Sequence, residues 1–314
     1  MKETHRLSDV FGLSRKLPKT YTMRDGVDDL FVESLGSDKH VVVHGSSKQG
    51  KTCLRKQHLS DDECIVVQCT RDVSKPKLYE AILKSAGVSL EVGSVKRESR
   101  VSKVSGDGEV DGGVPLFAKA KARFRTSRTQ SRDDALEYKE LEIDLSDPND
   151  ITRVLERAGV NRYLVIEDFH YLSEAIQQSF AFDLKVFHEK SDLVFVIVGV
   201  WLEKNRLVQF NGDLSQRLTP VDADRWDGRS LRNLIRAGEV LLNIRFSDSV
   251  VDHIVRNCEG NVGIAQQICE HLCKGAKVFR TQVTTRLIDE VREVDEAYRA
   301  LAEEQAVRYI NFLG

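Results

Sequence analysis

The string "HVVVHGSSKQGKT" at residues 40–52 constrains this chain more than any other. Five apolar or ring-bearing residues run into a glycine, as a buried strand does where it breaks into a loop. The loop then matches G-x-x-x-x-G-K-[ST] at Gly45, Gly50, Lys51 and Thr52. Glycines let such a loop curl with its backbone N–H groups pointing inward, and the helix that follows adds the positive end of its dipole. Read this way, Gly45, Ser46, Ser47, Lys48, Gln49, Gly50, Lys51, Thr52 and Cys53 cradle phosphates. Lys51 reaches the β and γ phosphates, and the Thr52 hydroxyl ligates Mg²⁺.

A phosphate loop needs a carboxylate from a neighbouring strand. "YLVIEDFHYL" at 163–172 supplies four residues of buried-strand character followed by Glu167 and Asp168. The first acid is placed to hold Mg²⁺ with Thr52, and the second to polarise an attacking water. The string nearest to a guanine-reading [NT]-K-x-D element is "EKSD" at 189–192, which has the wrong first residue and precedes a strand. ATP is therefore the expected nucleotide.

Other apolar runs, "CIVVQC" at 64–69 and "LVFVIVG" at 193–199, alternate with helical patterns at 75–87, 147–158 and 173–190. Strands alternating with helices predict a parallel sheet covered on both faces. From about 228 the strand signal stops and four helical patterns follow, the last over 283–310. In it Leu287, Val291, Val294, Tyr298 and Leu301 make one apolar stripe, read as packing onto its own domain.

The stretch 95–132 holds ten Lys or Arg against four Asp or Glu, a local excess of +6 in a chain whose net charge is -2. Its central glycines and flanking alternation predict a long β-hairpin or a mobile arm. Lys119, Lys121, Arg123 and Arg125 share one strand face and are the candidate nucleic-acid contacts. His253, Cys258, Cys269, His271 and Cys273 match no zinc spacing and read as residues of a helical core. His170 reads equally as a nucleotide sensor or a structural histidine. Spread cysteines, no signal segment and no membrane-length apolar run imply a cytoplasmic protein with no membrane partner.

With these residues in view, the chain resembles the AAA+ and STAND-like P-loop ATPases over roughly residues 15–285, and within them the origin-recognition and transposition-regulator branch. The resemblance implies a three-layer αβα P-loop core with a parallel sheet over 1–227, carrying a basic hairpin insertion at about 89–138. A small all-helical lid over 228–285 and a C-terminal helix over 286–314 would follow. It places Tyr21 and Arg24, in "YTMRDGVDDLF", near the adenine. Arg217, in "FNGDLSQRLTPV", takes the part of the arginine finger that completes a neighbouring subunit's site.

The chain departs from the family pattern at three places. Gly263-Ile264 stands where a second sensing arginine is usual, Gly199-Val200-Trp201 replaces a polar sensor, and the paired acids run Glu then Asp. These departures imply slow hydrolysis. Two readings follow. One is an ATP- and Mg²⁺-dependent switch that forms homo-oligomers and serves a separate effector, with DNA as a further partner. The other is a monomeric, nucleotide-gated signalling module that binds a protein partner. No winged-helix DNA-binding domain is legible.

Overall fold

The computed structural model describes residues 3–12, 17–92, 119–125, 138–160, 163–224 and 226–313. In chain order, a single helical turn α1 (Leu7–Val10) and helix α2 (Asp28–Gly36) precede strand β1 (His40–His44) and helix α3 (Lys51–His58). Strand β2 (Cys64–Gln68) and helix α4 (Lys75–Ser85) lead into three strands, β3 (Ser89–Val92), β4 (Lys119–Arg125) and β5 (Tyr138–Asp144). Helix α5 (Pro148–Arg157), strand β6 (Tyr163–Glu167), helix α6 (Glu174–Lys190), strand β7 (Val194–Val198), helix α7 (Arg206–Phe210) and strand β8 (Leu218–Asp222) follow. The remainder comprises α8 (Gly228–Leu242), β9 (Ile244–Phe246), α9 (Asp248–Asn257), α10 (Val262–Gly275), β10 (Arg286–Ile288) and α11 (Arg292–Leu313).

Five strands form the central sheet in the order β2-β6-β7-β1-β8, every pairing parallel. β1 and β7 are buried along their whole length, which is why they read as unbroken apolar runs instead of alternating ones. Helices cover both faces. Leu78 and Tyr79 of α4, Ile151 and Leu155 of α5, and Phe180, Leu184 and Phe187 of α6 pack on one side. Phe31 and Leu35 of α2 and Leu54 of α3 pack on the other. Parallel strands all end at the same edge, so the loops after β1, β6 and β7 meet there, where α/β sheets hold their ligands.

In place of a simple hairpin, the described part of the basic insertion is a three-stranded antiparallel sheet, β3-β4-β5. The glycine-rich centre of the insertion lies outside the described residues. Ala122 of β4 is buried with Val88, Ile143 and Leu145 against the core. The register sets Asp144 opposite Lys119, Glu142 opposite Lys121 and Glu140 opposite Arg123, with Glu91 of β3 also opposite Lys121. Directly opposed residues share a face. The register therefore sets basic positions of β4 opposite acidic positions of both neighbouring strands.

The C-terminal region has a core of its own, built from α8 to α11. Residues 283–288, expected to be helical, instead lead into β10, which pairs in parallel with β9. Alternation explains the difference: Ile288 is buried while Leu287 is 59% exposed, a strand pattern that the apolar composition alone conceals. The helix begins at Arg292, and from there Val294 is buried while Tyr298 and Leu301 pack against the same core. Cys258, Cys269 and Cys273 are buried there too, and burial pushes each thiol up. His253 pairs with Asp295 at 2.7 Å, tying α9 to α11, and His271 is exposed. Among the described residues no helix is long and apolar enough to cross a membrane.

The N-terminal turn belongs to this second core. Leu7, Val10 and Phe11 pack with α8 and α10, and the Phe11 ring lies where a Cβ on Gly238 would be, 2.2 Å from Cζ. Alanine is the better helix former by about 1 kcal/mol, whereas overpacking costs about 1–3 kcal/mol. The clash outweighs the propensity gain, so Gly238→Ala is expected to destabilise by about 1–2 kcal/mol in urea denaturation. A neutral or stabilising result would mean Phe11 leaves its seat freely.

Candidate functional site

At the C-terminal edge of the sheet, the loop after β1 curls back into α3. Gly50, at the N-cap of α3, adopts φ +79°, a left-handed conformation that glycine takes without strain. The loop wraps Lys51, whose ammonium donates to the carbonyls of Gly45, at 3.0 Å, and Ser46. Lys51 is 8% exposed, and burial holds its pKa below the usual lysine value against the pull of Asp224, Asp168 and Glu167.

Two strands away, β6 ends at Glu167. The Thr52 hydroxyl donates to Glu167 Oε2 at 2.9 Å, so the two residues expected to hold Mg²⁺ are in contact. Glu167 Oε1 is held by Arg55, whose Nε and Nη2 donate to it at 3.2 and 3.1 Å. Arg55 is itself 2% exposed and also pairs with Asp61. Asp168 follows in a left-handed conformation, φ 56°, and accepts from Gln68 Nε2 at 2.9 Å. Glu167 thus faces the phosphate loop, and Asp168 is turned and tethered at the mouth of the site. The reversed order of the two acids does not displace the first from Thr52.

A cleft of about 450 Å³ opens over the loop, lined by Ser47 to Cys53, Tyr21, Asp168, Val200 and four residues of the C-terminal part, Trp226, Leu234, Val262 and Gln266. Gly45 and Ser46 are not part of this lining. Asp224 accepts from the Ser46 backbone N–H at 2.8 Å and from its hydroxyl at 3.0 Å, fastening the base of the loop to the segment after β8. Tyr21 reaches the cleft and its hydroxyl donates to Asp28 Oδ1 at 2.5 Å. Burial and the Asp28 charge push the Tyr21 phenol well above its ordinary pKa. Arg24 is stacked at 4.5 Å on Trp226 and donates to the Ala223 carbonyl at 2.8 Å. Its Nε and Nη2 are buried without a hydrogen-bond partner.

The helical region closes directly on the loop. Trp226 Nε1 donates to the Gln49 carbonyl at 3.2 Å, and the Val262 N–H donates to Gln49 Oε1 at 3.4 Å. A Cβ on Gly263 would lie 2.8 Å from Lys48 Cβ. Here is the physical reason for a glycine where the family resemblance expects arginine nearby: α10 approaches the loop too closely for a side chain at that point. The Gly199-Val200-Trp201 segment is likewise built into the site: Val200 lines the cleft, and the Trp201 carbonyl accepts from the Gly45 N–H at 3.1 Å.

Arg217 is not brought together with these groups. It stands just before β8, at the opposite edge of the parallel sheet from the loop, where it pairs with Glu189 at 2.9 Å and donates to the Asp213 carbonyl. A five-residue strand spans about 17 Å, so Arg217 cannot serve the site of its own chain. His170 lines a separate surface hollow with Arg71 and Tyr171, and burial holds its imidazole below the usual histidine pKa. Among the described residues no group of three or more His, Cys, Asp or Glu side chains is placed to hold a metal ion. Arg55, Gln68, Asp224 and Trp226 were not singled out in the sequence. Only Arg55, one helical turn after Lys51, carried a positional signal.

No family model and no curated protein matches the sequence. Among solved structures, the Walker-type ATPase PABY2304 of Pyrococcus abyssi aligns with a TM-score of 0.60 at 13% identity, over 97% of this chain and 79% of that one. Cdc6p from Pyrobaculum aerophilum aligns with a TM-score of 0.50 at 12% identity, over 86% of this chain and 66% of that one. With a five-stranded parallel sheet, helices on both faces and a glycine loop at the strand ends, the chain shares the fold of these two proteins.

Proposed function

We propose that the protein binds and slowly hydrolyses ATP with Mg²⁺, and that ATP drives self-association into a regulatory switch acting on a separate effector protein. The observation that carries this reading is the 2.9 Å contact between Thr52 and Glu167 beside the buried Lys51 ammonium, under a cleft closed by the helical region.

The donor set fits Mg²⁺, which prefers oxygen ligands, few of them from protein, and keeps several waters. The Thr52 hydroxyl and Glu167 would hold it, and when bound it neutralises charge on the β and γ phosphates. Lys51 takes the remaining phosphate charge and Asp168 polarises water. The tether from Gln68 holds Asp168 aside, which agrees with slow turnover. A single-turnover rate near ~10 s⁻¹, a typical enzyme value, would contradict the slow switch. Tyr21 and Trp226, which line the same end of the cleft, favour that end as the side for the base.

Self-association follows from Arg217. Placed at the far edge of its own sheet and only partly buried, it has a role in phosphoryl transfer only if a second copy presents its site there. DNA is not assigned to β4, because acids stand opposite three of its four bases.

The test is light scattering of the full chain without nucleotide, with ADP and with a slowly hydrolysed ATP analogue. Mass is expected to rise only with the analogue, and Arg217→Ala is expected to lower turnover about 10³-fold or more while leaving nucleotide binding intact. Nucleotide binding with no change in mass would overturn the oligomeric part of the reading.

A further inference from the structure

A second charged surface lies at the other end of α10. The start of that helix meets the phosphate loop, whereas its last turns, with α1 and the segment after α10, border a groove of about 600 Å³. A 14-residue helix is about 20 Å long, and the groove shares no lining residue with the nucleotide cleft.

Four cations line the groove, Arg6, Lys274, Lys277 and Arg280, against one acid, Glu270. Glu270 is taken by Lys274 at 2.8 Å. Arg6, Lys277 and Arg280 are exposed, and none of them makes an ion pair among the described residues. An excess of three positive charges in one groove stands out in a chain whose net charge is -2.

Backbone geometry sharpens the point. Arg6 and Arg280 are directly paired in an antiparallel bridge, and the Leu7 N–H donates to the Phe279 carbonyl at 2.9 Å. Directly opposed like charges destabilise such a pairing. The bridge therefore pairs two exposed arginines, whose mutual repulsion an anionic ligand would offset. In the same groove wall, Phe279 is 60% exposed, with Lys277 two residues before it and Arg280 next to it. A large apolar ring kept in water among unpaired cations is the arrangement that stacks on a nucleobase while the cations follow phosphates.

We propose that this groove binds single-stranded nucleic acid without sequence preference, Phe279 stacking on a base and Arg6, Lys277 and Arg280 contacting the backbone. The proposal names a partner beyond the ATPase reading and uses none of the residues of that site. An unstacked strand fits better than a duplex, because only an unpaired base presents its face to the ring.

The test is fluorescence anisotropy of a labelled twenty-residue oligothymidylate titrated with the full chain. Three phosphate contacts predict that log Kd rises with log salt at a slope of about 2. Arg6→Glu with Arg280→Glu is expected to weaken binding at least about tenfold, and Phe279→Ala about tenfold, the scale of one stacked base. Lys51→Ala should bind the oligonucleotide as wild type does, and both groove variants should keep wild-type affinity for a fluorescent ATP analogue, which separates this site from the nucleotide site. All these residues but Lys51 are exposed, and urea midpoints within error of wild type would show the groove variants folded. Absence of binding, or binding indifferent to the double charge reversal, overturns the proposal. Equal competition by polyglutamate with no effect of Phe279→Ala also overturns it, in favour of an acidic protein surface as the occupant.

Discussion

Lys51→Ala is expected to lower ATP turnover by about 10²–10³-fold, the scale of one lost charge-stabilising donor, while the protein stays as stable as wild type. The two halves of that result have separate causes. In the folded chain the ammonium is nearly enclosed and its hydrogen bonds go to carbonyls of its own loop. Burial already disfavours its charged form, as its lowered pKa shows. Removing it relieves that desolvation, which offsets the loss of its hydrogen bonds to the buried Gly45 carbonyl and the half-buried Ser46 carbonyl, so the urea midpoint should barely move. The γ-phosphate, by contrast, loses its positive partner. Steady-state phosphate release beside a urea titration checks both halves. Turnover within threefold of wild type would show that Lys51 is not the phosphate-binding lysine.

Glu167→Ala is expected to do the reverse in one respect: it destabilises the fold as well as abolishing turnover. Glu167 compensates a guanidinium that is almost wholly buried, and breaking a buried pair from one side typically costs 3–5 kcal/mol. Arg55 keeps a second partner in the exposed Asp61, which places the loss at the low end, about 3 kcal/mol. Glu167→Gln keeps an acceptor for Arg55 and Thr52, so its cost should be about 1 kcal/mol. Turnover should fall in both variants, because the amide and the methyl alike remove the carboxylate charge. Urea denaturation of the two variants separates them. Equal stability of Glu167→Ala and wild type would mean that Asp61 alone satisfies Arg55, and that Glu167 is free of the structural duty assigned to it.

Much of the site was legible in the residues. The glycine loop announces itself because the requirement is local: a strand, a curl that needs glycine at Gly50, and a helix starting at Lys51 lie within thirteen consecutive residues. Glu167 was legible because an apolar run ending in acids is local too. The position of Arg217 before a strand was legible, while its pairing with Glu189 was not, since the two lie on segments 28 residues apart in the chain. The stripe from Val294 onward was legible, but Leu287 was misread because a 4-3-4 spacing and a strand alternation can share the same apolar residues.

The basic insertion shows the limit most clearly. Its charge excess is a property of composition, and the alternation of Lys119, Lys121, Arg123 and Arg125 is a property of the local chain. Whether those charges face solvent alone depends on register, which sets Glu140, Glu142 and Asp144 opposite them from a strand more than a dozen residues away. The groove around Phe279 is the converse case. Arg6 and Arg280 are 274 residues apart in the chain, and only a backbone bridge brings them face to face.

The sequence by itself determined the parallel αβα core, the glycine loop after β1 and the acids that end β6, because strand periodicity, glycine geometry and helix starts act over a few residues. Tertiary structure alone decided that α10 presses on Lys48 and Gln49, that Arg55 neutralises Glu167, and that two arginines from opposite ends of the chain share a groove. Those are contacts between distant segments, and their energies depend on burial and separation, neither of which a linear string contains.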